Sequence, residues 1–142
     1  MPPATNRARQ SRSERPPGPK ATRYELPPDP ASAGLARRIT RGALGGKPAD
    51  VVDTAELLVS ELVANAVRHA SAAPEISIDL DGGRVRVTVS DTSPETPDVR
   101  HSSLEAENGR GLLLVESLAD AWGWYRTNRG KRVWFMLTTA PA

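Results

Sequence analysis

The chain has 142 residues and 38% hydrophobic content, which suits one domain with its own core rather than several. It contains no cysteine, so disulfides, thiolate metal ligands and a cysteine nucleophile are excluded, and no apolar run approaches the roughly 20 residues of a membrane-spanning helix. The net charge of +2 hides an asymmetry: residues 1–23 carry Arg7, Arg9, Arg12, Arg15, Lys20 and Arg23 against Glu14 alone, a net +5, which leaves the remainder at −3.

The body of the chain is therefore not a basic nucleic-acid reader, and any nucleic-acid contact is expected only through the tail. The N-terminus has no apolar core of the kind a signal peptide needs, so the expected location is cytoplasmic, with no membrane association.

Residues 1–20 combine Pro, Arg, Ser and Gly with little to bury, and are expected to form a disordered basic tail. That tail is either a tether to nucleic acid or a partner, or a solubilising extension. Residues 21–139 are expected to make one folded domain. A short strand is predicted over 22–26. Asp29-Pro30 then offers an N-cap acceptor and a first-turn proline, and Leu35, Ala36, Ile39, Ala43 and Leu44 share one helical face until Gly45-Gly46 stops it. Asp53-Thr54-Ala55-Glu56 has the form of a capping box for a second helix, with a start as early as Asp50 also compatible. Its apolar residues Ala55, Leu58, Val59, Leu62, Ala66, Val67 and Ala70 recur at three and four.

Ile76, Ile78 and Leu80 alternate along one predicted strand. Asp81-Gly82-Gly83 turns the chain, and Val85, Val87 and Val89 alternate along the next. Residues 92–107 are polar, contain Pro94 and Pro97 and show no period, so a mobile loop or lid is expected there. A third helix is predicted over 111–119, and a closing hairpin pairs 122–127 with 132–138 around Asn128-Arg129-Gly130. Val133-Trp134-Phe135-Met136-Leu137 is apolar on both faces, which marks that strand as internal or as partly covered by a partner. The order β-α-α-β-β-loop-α-β-β predicts an α/β fold: a two-layer α/β sandwich with a mixed, largely antiparallel sheet and helices on one face.

Chemistry concentrates in three places. Glu61, Asn65 and His69 recur at steps of four and form one polar stripe beside the apolar face of the second helix. Such a stripe can equally be a solvated helix face. In a nucleotide site, however, Asn65 could offer a neutral hard oxygen to magnesium and Glu61 could accept a proton. His69 could touch a phosphate or hold the helix to the lid. Asp91 ends an apolar strand, where a carboxylate can accept an exocyclic amine or cap the turn that follows. Gly109-Arg110-Gly111 opens the third helix, a place where backbone amides and the helix dipole can seat phosphate, or simply a tight turn.

The ordered set resembles the ATPase fold shared by gyrase, a heat-shock chaperone, histidine kinases and mismatch-repair ATPases. Glu61-Leu62-Val63-Ala64-Asn65-Ala66-Val67-Arg68-His69-Ala70, then Glu107-Asn108-Gly109-Arg110-Gly111-Leu112, then Leu118-Ala119-Asp120-Ala121-Trp122-Gly123, are similar to the compact anti-sigma regulatory factors of actinobacteria. These are histidine-kinase-like ATPases acting as serine/threonine protein kinases, and the resemblance covers about residues 22–139. It implies ATP and Mg2+ as cofactors, Glu61 as general base and Asn65 as magnesium ligand. Asp91 would read adenine. Gly109, Arg110 and Gly111 match the second glycine box around the phosphates, and His69 and Leu112 are counted beside them as cofactor-binding candidates. The implied reaction transfers the γ-phosphate of ATP to a Ser or Thr of an anti-sigma-factor antagonist of the STAS type, with a sigma factor as second partner and a homodimer as a compatible assembly. The first glycine box of that family reads D-x-G-x-G, whereas this chain has Asp91-Thr92-Ser93-Pro94-Glu95. Without those glycines the backbone approaches a ligand less easily, which implies weaker nucleotide binding or a differently closed lid. The alternative is a noncatalytic ATP-binding or partner-sequestering module of the same fold.

Overall fold

The computed structural model describes residues 21–69, 73–92 and 110–139, the side chains of His69, Arg110 and Gly111 excepted. The expected tail, nearly all of the expected lid and Gly109 lie outside the described residues. The elements run β1 (Thr22–Glu25), α1 (Ser32–Ala43), α2 (Ala49–His69), β2 (Glu75–Asp81), β3 (Arg84–Asp91), α3 (Arg110–Leu118), β4 (Ala121–Thr127) and β5 (Gly130–Thr138).

The five strands form one sheet in the order β1-β2-β3-β5-β4. Every pairing is antiparallel, where a partly mixed sheet was expected. The helical crossover from β3 to β4 does give those two strands a common direction, as in a βαβ unit. But β5 folds back between them and pairs antiparallel with both, so no parallel ladder forms. This also accounts for the apolar run of β5: the strand is internal, as its sequence predicts.

Alternation decides the layers. Ile76, Ile78, Val85, Val87, Val89, Val133, Phe135, Leu137, Trp122 and Trp124 share the face that carries the helices and belong to one core with Leu58, Val59, Leu62, Val63 and Ala66 of α2. The opposite face carries Arg86, Thr88 and Trp134. Trp134 is only 6% exposed, with the Arg86 guanidinium 4.5 Å from its ring centroid. In the helical layer α1 contacts β2, α2 contacts β3 and β5, and α3 contacts β4, while α1 and α3 both pack on α2. The stripe helix is thus the middle one. Among the described residues no helix is long and apolar enough to cross a membrane.

One helix start differs from expectation, and the second helix takes the earlier of the two starts its sequence allows. Asp29 does accept the Ala31 N–H at 2.7 Å, but this closes a turn, and α1 begins only at Ser32. α2 begins at Ala49, so Asp53 and Glu56 are interior residues rather than a capping box. They serve α1 instead: Arg41 lies 2.6 Å from Glu56 and 3.5 Å from Asp53. With Arg41 and Asp53 largely exposed, these pairs orient the two helices more than they stabilise them.

Candidate functional site

The topology gathers the chemistry-bearing residues at one end of the sandwich. α2 ends at His69 and the chain soon enters β2, where the Glu75 N–H donates to Ser90 Oγ at 2.7 Å, next to the end of β3. At the other end, α3 runs into β4 through Asp120, whose N–H donates to Met136 O at 3.0 Å and whose carboxylate accepts the Thr138 N–H at 2.6 Å. α3 thus joins β4 at the end of the sheet away from Asp91 and Lys131, and it packs on α2 and β4. The last turn of α2, which follows Asn65, leads to the end of the sheet that holds Asp91 on β3 and Lys131 on β5.

Helix geometry fixes the flank on which the stripe lies. A helix turns about 100° per residue, so Asn65, nine positions after Glu56, lies on the opposite flank of α2. Glu56 meets Arg41 of α1, which puts Asn65 on the flank toward α3. Glu61 and Asn65 are half-buried. Among the described residues no hydrogen bond or ion pair holds the Glu61 carboxylate. The Asn65 amide oxygen accepts Arg68 Nη1 at 3.0 Å, a bond that takes one of its two lone pairs. His69 is the last residue of α2, and Arg110 and Gly111 are the first of α3. Leu112 is half-buried and packs against the core. α3 is tied down by Trp122, whose Nε1–H donates to Glu116 Oε1 at 2.6 Å.

Asp91 is not alone. It sits directly opposite Lys131 in the β3–β5 register, on the helix-bearing face, with Lys131 Nζ 3.4 Å from Asp91 Oδ2 and the two side chains only 11% and 7% exposed. The neighbouring Gly130 explains how the strands approach so closely. A Cβ there would collide with the Asp91 carbonyl oxygen and come within 2.7 Å of Thr92 Cα, and Gly130 adopts φ +156°. Gly130→Ala must therefore push the end of β3 away, and is expected to cost about 1–3 kcal/mol of stability. A urea melt checks this, and a loss below about 0.5 kcal/mol would show that the strand end yields freely.

Sequence reasoning reads Gly130 only as a turn residue and does not single out Lys131. A signal for the lysine was present. Its parity matches Val133, Phe135 and Leu137, and a lysine at an inward position of an internal strand demands a buried partner.

The model of the histidine kinase-like ATPase domain family matches residues 26–137 of the chain. The chain belongs to the histidine kinase-like ATPase family. No curated protein matches it significantly. As a domain of this family it is an ATP-binding module, and the match spans the stripe helix, the end of β3 and α3. The donor set suits the nucleotide. Asn65 offers a hard neutral oxygen, which magnesium accepts beside phosphate ligands. Asp91 brings a carboxylate to a strand end, and the N-terminus of α3 brings backbone amides with partial positive charge.

Proposed function

We propose that the protein is an ATP- and magnesium-dependent protein serine/threonine kinase that works as an anti-sigma, partner-switching regulator. Its substrate is a Ser or Thr of a STAS-type anti-sigma-factor antagonist, and the unmodified antagonist competes with a sigma factor for it. The reading is supported by one arrangement: α2, which carries Glu61 one turn before Asn65, leads into β2 at the end of the sheet where Asp91 closes β3, and α3 packs on α2. The resemblance to compact anti-sigma regulatory factors supplies the partner class.

In this reading Asp91 accepts the exocyclic amine of adenine, and Asn65 holds magnesium through its amide oxygen. Bound there, the metal neutralises charge on the phosphates. The first backbone amides of α3 would seat the phosphate chain, with Gly109, Arg110, Gly111 and Leu112 as the residues of that turn and His69, the last residue of α2, as a further candidate contact. The substrate hydroxyl oxygen bonds to the γ-phosphorus as the bond from that phosphorus to its bridging oxygen breaks. Glu61 takes the hydroxyl proton, and ADP departs.

Asn65→Ala should weaken ATP binding in magnesium about tenfold or more while changing little in EDTA, as read by calorimetry. Equal loss in both buffers would assign Asn65 to the nucleotide rather than the metal. The reaction itself is tested by incubating the full chain with Mg-ATP and a STAS-type antagonist, then mapping phosphoserine and phosphothreonine. The absent glycines of Asp91-Thr92-Ser93-Pro94-Glu95 favour a second reading, a noncatalytic sequestering module. Tight antagonist or sigma binding with no phosphate transferred would put that reading first.

A further inference from the structure

We infer that the outer face of α1, together with the basic segment that precedes β1, binds the phosphate backbone of a nucleic-acid duplex. This surface is separate from the residues proposed for ATP, because α1 packs on the flank of α2 opposite to Asn65.

Charge is divided along the chain, not spread over it. Residues 1–48 carry ten Lys and Arg against three acids, a net +7, while residues 49–142 carry nine against fourteen, a net −5. The basic excess thus continues past the tail into α1, which holds Arg37, Arg38 and Arg41 and no acid. Topology keeps the two portions together. β1 is the edge strand beside β2, and α1 contacts β2, so the chain enters the fold on the side of the sandwich that α1 covers.

Leu35 and Ile39 of α1 pack against the core, whereas Arg37, Arg38 and Arg41 are exposed. Arg41 is engaged by Glu56 and Asp53 of α2. Arg37 and Arg38 have no hydrogen bond or ion pair among the described residues. Both lean back over Gly34, where a Cβ would lie 3.4 Å from Arg37 Nη2 and 3.8 Å from Arg38 Nη1. Two like charges held side by side repel each other in the free protein, and an anion between them reverses that repulsion.

A phosphate backbone fits this surface better than an acidic protein does. Protein interfaces are anchored by large side chains that become buried at their centre. Among the described residues the exposed large hydrophobics are Leu57, Leu80 and Leu118, none of them on α1. Phosphate binding needs no such anchor, because it draws on arginine forks and on released counterions. Eight of the ten cations in residues 1–48 are arginine. Contacts to phosphate alone carry no sequence information, so binding should be indifferent to base sequence.

The test follows the anisotropy of a labelled DNA duplex of about 20 base pairs, titrated with the full chain at about 50 to 200 mM salt. Wild type should bind with an affinity that falls steeply as salt rises. Arg37→Gln/Arg38→Gln keeps helix propensity. It should flatten the slope of log affinity against log salt by about 2, and weaken binding about tenfold or more at about 0.1 M salt. Arg84→Gln/Arg129→Gln removes the same charge from the acidic portion and should leave the slope unchanged. Each variant is first checked for a cooperative melt. The single variant Arg38→Gln, expected to flatten the slope by about 1, decides the matter should the α1 double variant not fold. Absence of salt-sensitive duplex binding by wild type overturns the inference. So does an unchanged slope in Arg37→Gln/Arg38→Gln, which leaves any contact to the tail alone. Equal flattening in both double variants overturns it in favour of net charge, and tighter binding of polyglutamate than of the duplex overturns it in favour of an acidic protein.

Discussion

Glu61→Gln is expected to lower phosphate transfer to the antagonist about 10² to 10⁴-fold while leaving ATP affinity unchanged. Glutamine keeps the shape of the side chain and its ability to orient a hydroxyl, so the substitution isolates proton acceptance from positioning. Two effects compete over the size of the loss. Phosphoryl transfer has a loose transition state in which the attacking hydroxyl keeps its proton until late, which limits what a base can contribute. Against that, no described residue neutralises the Glu61 carboxylate, which sits one turn before Asn65 on α2. A loss near the lower end of the range would assign Glu61 mainly to orientation, and one near the upper end to proton transfer. Single-turnover transfer, measured beside calorimetric ATP affinity, decides it. Equal transfer by wild type and Glu61→Gln would remove Glu61 from the role of base.

Phe135→Ala is expected to cost about 3–5 kcal/mol of folding stability, the range for emptying a buried aromatic site. Phe135 has no exposed surface and lies between Val87 on one side and Trp122 on the other, in register across three strands. α2 packs on both strands of the β3–β5 pair. The gap left behind is lined by strands fixed on both sides, so it cannot easily collapse. For a domain with a typical stability of about 5–15 kcal/mol, such a loss removes from about a fifth of the margin to all of it. A urea melt should show a lower midpoint with an unchanged slope. A cost below about 1 kcal/mol would mean that the centre of the sheet repacks freely.

Most of the architecture was legible from residues alone. The alternations Ile76-Ile78 and Val85-Val87-Val89 identify two strands with one buried face, because a strand places successive side chains on opposite sides. The run Val133–Leu137, apolar in both parities, marks an internal strand, and β5 is one. The steps of four among Glu61, Asn65 and His69 put them along α2 beside the core-facing residues. Local signals misled where a side chain had a distant partner. Asp53 and Glu56 have the spacing of a cap, yet they bind Arg41 of the preceding helix within a helix that starts earlier. Asp29 accepts a bond from the residue two positions on, which closes a turn rather than opening a helix. In both places the chemistry of the residue was legible and its partner was not.

The sequence by itself determined the element order, the buried faces and the polar stripe, because periodicity and turn chemistry act over a few residues. Tertiary structure decided what no local pattern encodes. It put β5 between β3 and β4, made every ladder antiparallel, and brought Lys131 across to Asp91, forty positions away in the chain. That pairing depends on strand order, on register and on the absence of a Cβ at Gly130, and all three arise only once the strands have met.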